Sequence, residues 1–304
     1  MVGTEERLEA ERLGPLGDGE LVLVAGTLLG FGEHAKPHES DTIVGAVPWI
    51  SFTTDYGLED GFVAACHGVI AQIAPEARII DVTHLIPPGD VRRASLVLAQ
   101  TVPSLPTSVH LAVVDPGVGT QRRPIAIRTA SGHLLVGPDN GLLVPAAEAL
   151  GGISSAVHLT NRRWFGGTVS HTFHGRDVFA PVAARLARGD DLSAAGEEID
   201  DVIRPRPPHV EQTRTTIVAE VLTVDRFGNV QLAATGNVKI TAVDGQAARS
   251  RSTFGAVEPG ELVVFVDSAG YLAVAVNQGS AAERLTVQPG DRVTLTIGDS
   301  ATLG

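Results

Sequence analysis

The chain has 304 residues, 43% of them hydrophobic and 19% charged, a composition typical of a globular protein large enough for two domains. Lysine and arginine number 23 against 35 aspartates and glutamates, so the formal net charge is -12 and a basic surface for nucleic acid is not expected. The single cysteine, Cys66, excludes an intrachain disulfide and favours a reducing, cytoplasmic location.

The first 47 residues are predicted to be a weakly ordered extension. They have no basic segment typical of a secretory signal, and the apolar run 21–30 is too short to span a bilayer. We therefore expect no membrane partner.

Strand-like and helical segments alternate from Trp49 to about residue 200. The run 109–114 is almost entirely apolar, as expected for a strand that is buried on both faces. Residues 48–200 are therefore predicted to form an α/β catalytic domain with a parallel-rich sheet flanked by helices. The expected strands are 49–54, 78–83, 109–114, 125–128 and 134–136, and the expected helices are 61–73, 91–101, 142–150 and 178–188.

The pattern changes near residue 190, where acidic segments precede a Pro-rich stretch. Residues 201–212 are predicted to be a stiff linker. Residues 213–304 are predicted to form a second, all-β domain resembling a small barrel. Its expected strands are 215–224, 230–233, 238–243, 262–266, 271–276 and 293–297.

Polar residues cluster just past the predicted strands of the first domain. Asp55 follows the first strand, Asp115 follows the buried strand, and His174 lies in a polar segment before an Ala-rich helix. Ligands of open α/β sheets bind outside the carboxyl ends of the strands, so this placement indicates a polar small-molecule site. Taken singly, each aspartate is better explained as a helix cap or turn residue, whereas the three clusters together favour the site. Asp60 is expected to cap the helix that starts at Gly61.

The loop that begins at Asp115 is the most specific of these segments. Two glycines, Gly117 and Gly119, would let a ligand approach the backbone, and Arg122 follows Asp115 by seven residues. Asp115 and Arg122 can therefore flank one water molecule as an ion pair. A structural salt bridge in a tight turn explains the same residues. His174 is the candidate for proton handling.

Asp81 and His84 raise the alternative of a metal site. Together with Asp55 and Asp115 they would suit a metal-dependent phosphohydrolase. Strand alternation, however, is expected to put Asp81 and Thr83 on one face and His84 on the other, so we predict no metal ligands and no cofactor.

Seven stretches resemble, in their order and spacing, the S-adenosyl-L-methionine hydroxide adenosyltransferases, relatives of the fluorinase and chlorinase. The resemblance extends from about residue 49 to the C-terminus. The stretches are 52–60, 81–91, 113–123, 138–142, 172–181, 225–229 and 271–282.

This resemblance implies hydrolysis of S-adenosyl-L-methionine to adenosine and L-methionine, with Asp115, Arg122 and His174 as the catalytic trio. The halogenating relatives lack the trio, so its presence here points to water as the nucleophile. The resemblance also implies a homotrimer with its sites at subunit interfaces. The implied substrate-binding residues are Asp55 for the ribose, Asp225, Asn229 and Ser268 for the methionine end, and Phe254 beside adenine.

One departure from the relatives and one further alternative remain. Ala269 stands where the halogenating relatives have arginine, so the contact to the methionine carboxylate is not carried over.

Besides the phosphohydrolase, a non-catalytic nucleoside-binding protein is the other alternative, and binding without turnover would favour it.

Overall fold

The computed structural model describes residues 48–298, so the predicted extension 1–47 lies outside the described residues. The chain divides into two compact units between Pro207 and Pro208. The first is a mixed α/β unit and the second is a β-barrel, which confirms the predicted fold class.

The first unit is built on a seven-stranded sheet. Its strands are β1 (Trp49–Thr54), β2 (Arg78–Thr83), β3 (Val109–Val113), β4 (Pro124–Thr129), β5 (Leu134–Pro138), β6 (Ile153–Leu159) and β7 (Gly196–Ile199). They lie in the order β2-β1-β3-β5-β4-β6-β7. Strands β2, β1, β3 and β5 run parallel, whereas β4 is antiparallel to β5 and to β6. The parallel half therefore brings several strand ends to one edge.

Helices cover both faces of this sheet. They are α1 (Phe62–Ile73), α2 (Val91–Thr101), α3 (Val144–Ala149) and α4 (Ala180–Ala187). Strand β3 shows why its sequence is continuously apolar: Leu111 and Val113 pack into the core with α1 and α4, while Ala112 and Val114 pack into the core with α2 and α3. The predicted helix 178–188 is a π-helical turn, Gly175–Phe179, that continues into α4.

The second unit is a closed barrel of seven strands. Its strands are β9 (Thr216–Val224), β10 (Val230–Thr235), β11 (Ile240–Val243), β12 (Gln246–Ser250), β13 (Leu262–Val266), β14 (Tyr271–Val276) and β15 (Arg292–Ile297), and it carries a short helix, α5 (Ala281–Leu285). Pairing of β9 with β10 closes the ring. An additional short strand, β8 (Val210–Gln212), pairs with β9 outside the ring. The unit also has the 3₁₀ turn Phe254–Ala256; those of the first unit are Val102–Ser104, Arg162–Trp164 and Leu192–Ala195.

Several elements were not predicted from sequence. Strands β6 and β7 mix polar with apolar residues, and β8 has only three residues, so none has a strong period-2 pattern. The prediction that Asp60 caps α1 is wrong, because the cap residue is Gly61 and no side chain caps the helix. Cys66 is fully buried in the core, where burial raises the pKa of its thiol to about 12. No helix within residues 48–298 has the length and apolarity needed to cross a bilayer.

A buried histidine pair joins the start of β3 to the residue just before β5. His110 Nδ1 is 2.7 Å from Ser51 Oγ, and His110 Nε2 is 2.9 Å from His133 Nδ1. Burial, and then the neighbouring His133, lower the pKa of His110 from 6.5 to about 3. His110 is therefore neutral in the folded protein over a pH range in which the unfolded chain binds a proton at this position.

We predict that this histidine makes the fold acid-sensitive. The stability that neutral His110 contributes is complete above 6.5, the pKa of the histidine in the unfolded chain. It is lost progressively as the pH falls from 6.5 toward the folded-state pKa of about 3. The free energy of unfolding should decline by up to about 1.4 kcal/mol per pH unit on account of His110. Denaturant unfolding of the wild type and of His110→Gln between about pH 6 and pH 4 measures the difference in slope. Equal slopes in the two proteins would contradict the prediction.

Candidate active site at the carboxyl edge of the sheet

The sheet topology places the polar residues of the first unit at one edge. Strands β1 and β3 are parallel neighbours with Thr54 opposite Val113, so Asp55 and Asp115 leave the sheet side by side. Strand β4 enters the sheet at the same edge, because Pro124 pairs with Pro138 at the end of β5. Arg122 therefore reaches this edge from the opposite chain direction.

Asp115, Arg122 and His174 form one contact group. Arg122 Nε donates to Asp115 Oδ1 at 2.9 Å, and Arg122 Nη2 donates to Asp115 Oδ2. The same Nη2 lies 3.2 Å from His174 Nδ1. Only 8% of the Arg122 side chain and 6% of the Asp115 side chain are exposed. The structure thus brings together the three residues that sequence reasoning singled out.

The contacts of Arg122 decide how the neighbouring groups are protonated. A guanidinium only donates, so His174 Nδ1 accepts the bond from Nη2 and a neutral His174 carries its hydrogen on Nε2. Burial, reinforced by the positive charge of Arg122, lowers the pKa of His174. Burial also raises the pKa of Asp115, and the charge of Arg122 offsets part of that effect.

One donor of Arg122 is left over. Nη1 is buried and makes no hydrogen bond to any described residue. The guanidinium lies over the ring of Phe179, with 5.3 Å between Cζ and the ring centroid, so one of its faces is covered by an apolar surface. A buried, unpartnered N–H of a charged group is costly unless a ligand oxygen accepts from it. This donor is the strongest indication that the trio binds an oxygen atom.

Two glycines that sequence reasoning did not single out for packing bring the loops of the site together. A Cβ at Gly119 would lie 2.4 Å from the carbonyl oxygen of His171, and the φ of Gly119 is +77°. A Cβ at Gly175 would lie 2.0 Å from Tyr56 Oη. Any larger residue would therefore push the Asp115 loop, or Tyr56, away from the segment that carries His174. Gly119 lies in the loop 115–123 and Gly175 in the stretch 172–181, although no local pattern in the sequence shows what they contact.

The segment carrying His174 is held by a salt bridge between neighbouring residues. Arg176 Nε donates to Asp177 Oδ1 at 2.6 Å, and Ser170 N–H donates to Asp177 Oδ2 at 2.9 Å. Burial alone would raise the pKa of Asp177, but the bonds from Arg176 and Ser170 hold it below its ordinary value. Asp177 thus stays ionised and pins the loop just before the π-helical turn.

Arg123, next to Arg122, has a structural role instead. Its Nε donates to Asp139 Oδ2 at 2.9 Å, and Nη1 donates to Asp201 Oδ1 at 2.7 Å. Asp139 is buried and also accepts the N–H of Ile203 at 2.8 Å. The adjacent arginines therefore have different roles: Arg122 pairs with Asp115, whereas Arg123 and Asp139 together hold residues 201–203.

Asp55 is linked to the turn after β2. Its Oδ2 accepts the N–H of Gly89 at 2.8 Å, and Gly89 lies beside Pro116 in the Asp115 loop. Asp55 is partly exposed, and its Oδ1 is not used in the bond from Gly89. It is placed to accept further hydrogen bonds at the same edge as the trio.

The remaining predicted residues lie in turns of the barrel. Asp225 accepts the N–H groups of Phe227 and Asn229, and Asn229 Nδ2 donates to Asp225 Oδ2 at 2.8 Å. Phe254 is half exposed and contacts the edge of Phe265. Ser268 is exposed in the turn between β13 and β14. The structure joins Asp225 to Asn229 directly, and it places Phe254 and Ser268 in separate turns.

The face prediction for Asp81 and His84 is wrong. His84 follows the end of β2 rather than continuing it, and its Nε2 lies 3.0 Å from Asp81 Oδ1. Within residues 48–298, the group of histidines and carboxylates close enough to share a metal ion is His67, Asp81 and His84. Asp55 and Asp115 are not in it, so the four residues expected for a phosphohydrolase are not gathered.

Comparisons with known proteins agree with this geometry. The model of the SAM hydroxide adenosyltransferase N-terminal domain matches residues 50–196, and that of the C-terminal domain matches residues 219–294. A Salinispora tropica protein named (R)-S-adenosyl-L-methionine hydrolase is 61% identical over 258 residues, covering 83% of this chain and 98% of its own. A Thermus thermophilus protein of the same name is 42% identical over 261 residues, covering 81% of this chain and 98% of its own.

More distant and structural relatives complete the comparison. A fluorinase of an Actinoplanes species is 26% identical over 295 residues, covering 82% of this chain and 97% of its own. The crystal structure of an uncharacterized conserved protein from Thermotoga maritima superposes with a TM-score of 0.75 at 38% identity, covering 81% of this chain and 99% of that chain. With both domain models matched in order and close relatives covered almost completely, the chain belongs to the SAM hydroxide adenosyltransferase family.

Proposed function

We propose that this protein hydrolyses S-adenosyl-L-methionine to adenosine and L-methionine. The observation that carries the proposal is the buried group of Asp115, Arg122 and His174, with the unpartnered Nη1 of Arg122 beside it. The names of the relatives that are 61% and 42% identical support the same activity.

The main requirement of this reaction is that the protein position one water molecule for attack at C5′. The water oxygen forms a bond to C5′ while the C5′–sulfur bond breaks and its electron pair stays on sulfur. The sulfonium becomes a neutral thioether, so the leaving group needs no acid, and one proton is released from the water. A water held in line with the departing sulfur supplies most of the advantage, since positioning alone can remove several kcal/mol of the barrier.

Asp115 and Arg122 are suited to hold that water. The carboxylate accepts a hydrogen of the water with the lone pairs that Arg122 does not use, and Arg122 Nη1 donates to its oxygen. Because the pair is already fixed by two hydrogen bonds, neither side chain has to reorganise during the reaction. The positive charge of Arg122 favours the hydroxide-like nucleophile as the proton leaves.

His174 is the proton acceptor in this scheme. Its pKa lies below the ordinary 6.5, so the imidazole is neutral at physiological pH. Uptake of a proton at Nδ1 replaces the contact from Arg122 Nη2, which keeps its bond to Asp115. The imidazolium can then pass the proton to solvent, because His174 is only partly buried.

The other predicted residues are assigned to the substrate. Asp55 is proposed to accept hydrogen bonds from the ribose hydroxyls, and Asp225 with Asn229 to bind the methionine ammonium end. Ser268 is proposed to bind the same end, and Phe254 to lie beside adenine. The exposed ring of Phe254 supports the last assignment, since a half-exposed aromatic side chain is available for stacking.

We further propose a homotrimer in which each site combines the first unit of one subunit with the second unit of a neighbour.

The reaction is proposed to need no cofactor, because a neutral thioether leaving group needs no Lewis acid. A reducing cytoplasm is the proposed location, on the basis of the single, buried cysteine.

Labelled water tests the reaction itself. Incubation with S-adenosyl-L-methionine in ¹⁸O-water should give adenosine that carries the label at its 5′ oxygen, read by mass spectrometry. Asp115→Asn, which keeps the shape but not the charge, should lower kcat by at least about 100-fold. Unlabelled adenosine, or a 5′-chloro product in chloride buffer, would contradict attack by water at carbon.

The pH profile tests His174. The neutral imidazole is the active form, so kcat/KM should be constant near neutrality and fall as the pH drops through a pKa below 6.5. His174→Gln should lower kcat/KM by about 100-fold and remove the part of the acid limb that arises from His174. An unchanged rate and profile in His174→Gln would remove His174 from the mechanism.

Complementation tests the shared site. Asp115→Asn and Asp225→Asn each carry a lesion in a different unit, so each homotrimer should be inactive or bind poorly. Subunit exchange at equal concentrations should restore about a quarter of the wild-type activity, since about one interface in four then lacks both lesions.

Two controls make the complementation result decisive. Light-labelled and heavy-labelled wild-type chains, mixed in parallel and read by native mass spectrometry, report whether subunits exchange. No recovery despite proven exchange, or full activity of a protein that sediments as a monomer, would refute the shared site.

A further inference from the structure

A second polar cluster lies one strand away from the candidate active site. His67 comes from helix α1, Asp81 from strand β2, and His84 from the turn that follows β2. We propose that these three residues bind a divalent transition-metal ion, such as Zn²⁺, that braces the turn between β1 and α1.

The distances within the cluster suit a shared ion. Both His67 Nε2 and His84 Nε2 lie 3.0 Å from Asp81 Oδ1. One ligand atom from each of the three residues lies within 4.8 Å of the others. Zinc bonds to nitrogen and oxygen are about 2.1 Å long, so ligand atoms around a tetrahedral ion are about 3.4 Å apart. Small side-chain rotations would therefore bring all three atoms to one ion.

The chemistry of the donors fits the same class of metal. Two imidazoles and one carboxylate are ligands that zinc, iron and cobalt share, whereas calcium and magnesium prefer oxygen alone. Asp81 and His67 are 43% and 33% exposed at their side chains, so an ion can enter and solvent can fill its remaining positions. The side chain of His84 is 3% exposed, so it would bind the ion from the buried side of the cluster.

The second nitrogen of His84 orients its ring toward the cluster. His84 Nδ1 lies 2.8 Å from Thr54 Oγ1, which also accepts the N–H of Tyr56 at 3.2 Å. If Nδ1 donates to Thr54, the lone pair of Nε2 points at Asp81 and His67. Metal-binding histidines are usually held in this way, by a hydrogen bond from the other ring nitrogen.

Hydrogen bonds alone explain only half of the cluster. His67 Nε2 meets the geometry of a hydrogen bond to Asp81 Oδ1. His84 Nε2, although 3.0 Å from the same oxygen, is buried and makes no hydrogen bond to any described residue. This arrangement, a buried nitrogen close to a carboxylate but misaligned for an N–H bond, is the one expected if both atoms bind the same ion.

The position of the cluster indicates a structural role. Thr54 directly precedes Asp55, and the N–H of Gly57 donates to the carbonyl oxygen of His84 at 2.8 Å. An ion at the cluster would thus hold the turn that carries Asp55 and Tyr56. It would not touch Asp115, Arg122 or His174, so this inference stands apart from the proposed hydrolysis.

Equilibrium binding to untagged, full-length protein tests the site. After dialysis against chelator, titration with Co²⁺ followed by its visible absorption, and with Zn²⁺ by competition with a chromogenic chelator, should show one ion per chain. His67→Ala, at a partly exposed position, and Asp81→Asn, at an exposed one, should each weaken binding by at least tenfold, about the lower bound seen even for residues that only support a ligand. Zn²⁺ at 100 times its Kd should raise the wild-type Tm by about 5 °C and leave that of His67→Ala unchanged.

Matched variants identify the residues responsible. His158→Ala in β6 and the double variant His34→Ala/His38→Ala should bind as tightly as the wild type. Binding that survives in His67→Ala, is lost in the double variant, or is absent from the wild type would overturn the proposal. Formation of adenosine by the chelated protein is a separate readout, so loss of hydrolysis on chelation would contradict metal-independent chemistry without affecting the binding result.

Discussion

The buried ion pair between Asp115 and Arg122 is the interaction on which the candidate active site depends. Two charges that are more than nine-tenths buried are tolerable only together, and removing one partner from such a pair typically costs about 3–5 kcal/mol. The pair closes the loop 115–123 on itself. That loop then packs, through Gly119, against the backbone of His171, which sets the position of His174. The Asp115–Arg122 ion pair therefore fixes both the positions of the side chains at the site and the charges they carry.

Strand β1 connects the two polar clusters of the first unit. Its last residue, Thr54, contacts His84, and the next residue, Asp55, accepts a hydrogen bond from Gly89 in the turn after His84. The β1–α1 turn is thus tied on one side to the group formed by His67, Asp81 and His84, and on the other side Tyr56 packs against Gly175, the residue after His174. These contacts hold the carboxylate of Asp55 in place through its neighbours in the turn.

In the barrel, the predicted substrate-binding residues are held by turns and not by a buried ion pair. Its interior is filled by aliphatic side chains from alternate positions of the strands, and the residues proposed to bind substrate, Asp225, Asn229, Phe254 and Ser268, lie between the strands. Asp225 satisfies two backbone N–H groups and the Asn229 amide, and this leaves the carboxylate in a fixed orientation. Such a turn is rigid enough to present a charge to a ligand, whereas a free loop would lose entropy on binding.

The sequence by itself determined the alternation of strands and helices, the barrel, and the pairing of Asp115 with Arg122, because periodicity and short spacing are local properties of the chain. The polar composition of β6 and β7 concealed those strands, since β6 owes its place in the sheet to pairing with β4, and β7 to pairing with β6, and not to their own patterns. Only the tertiary structure decided that His67 of α1 meets Asp81 and His84, and that Gly175 must leave room for Tyr56. Those contacts depend on strand order and helix packing, which join residues that no local spacing relates.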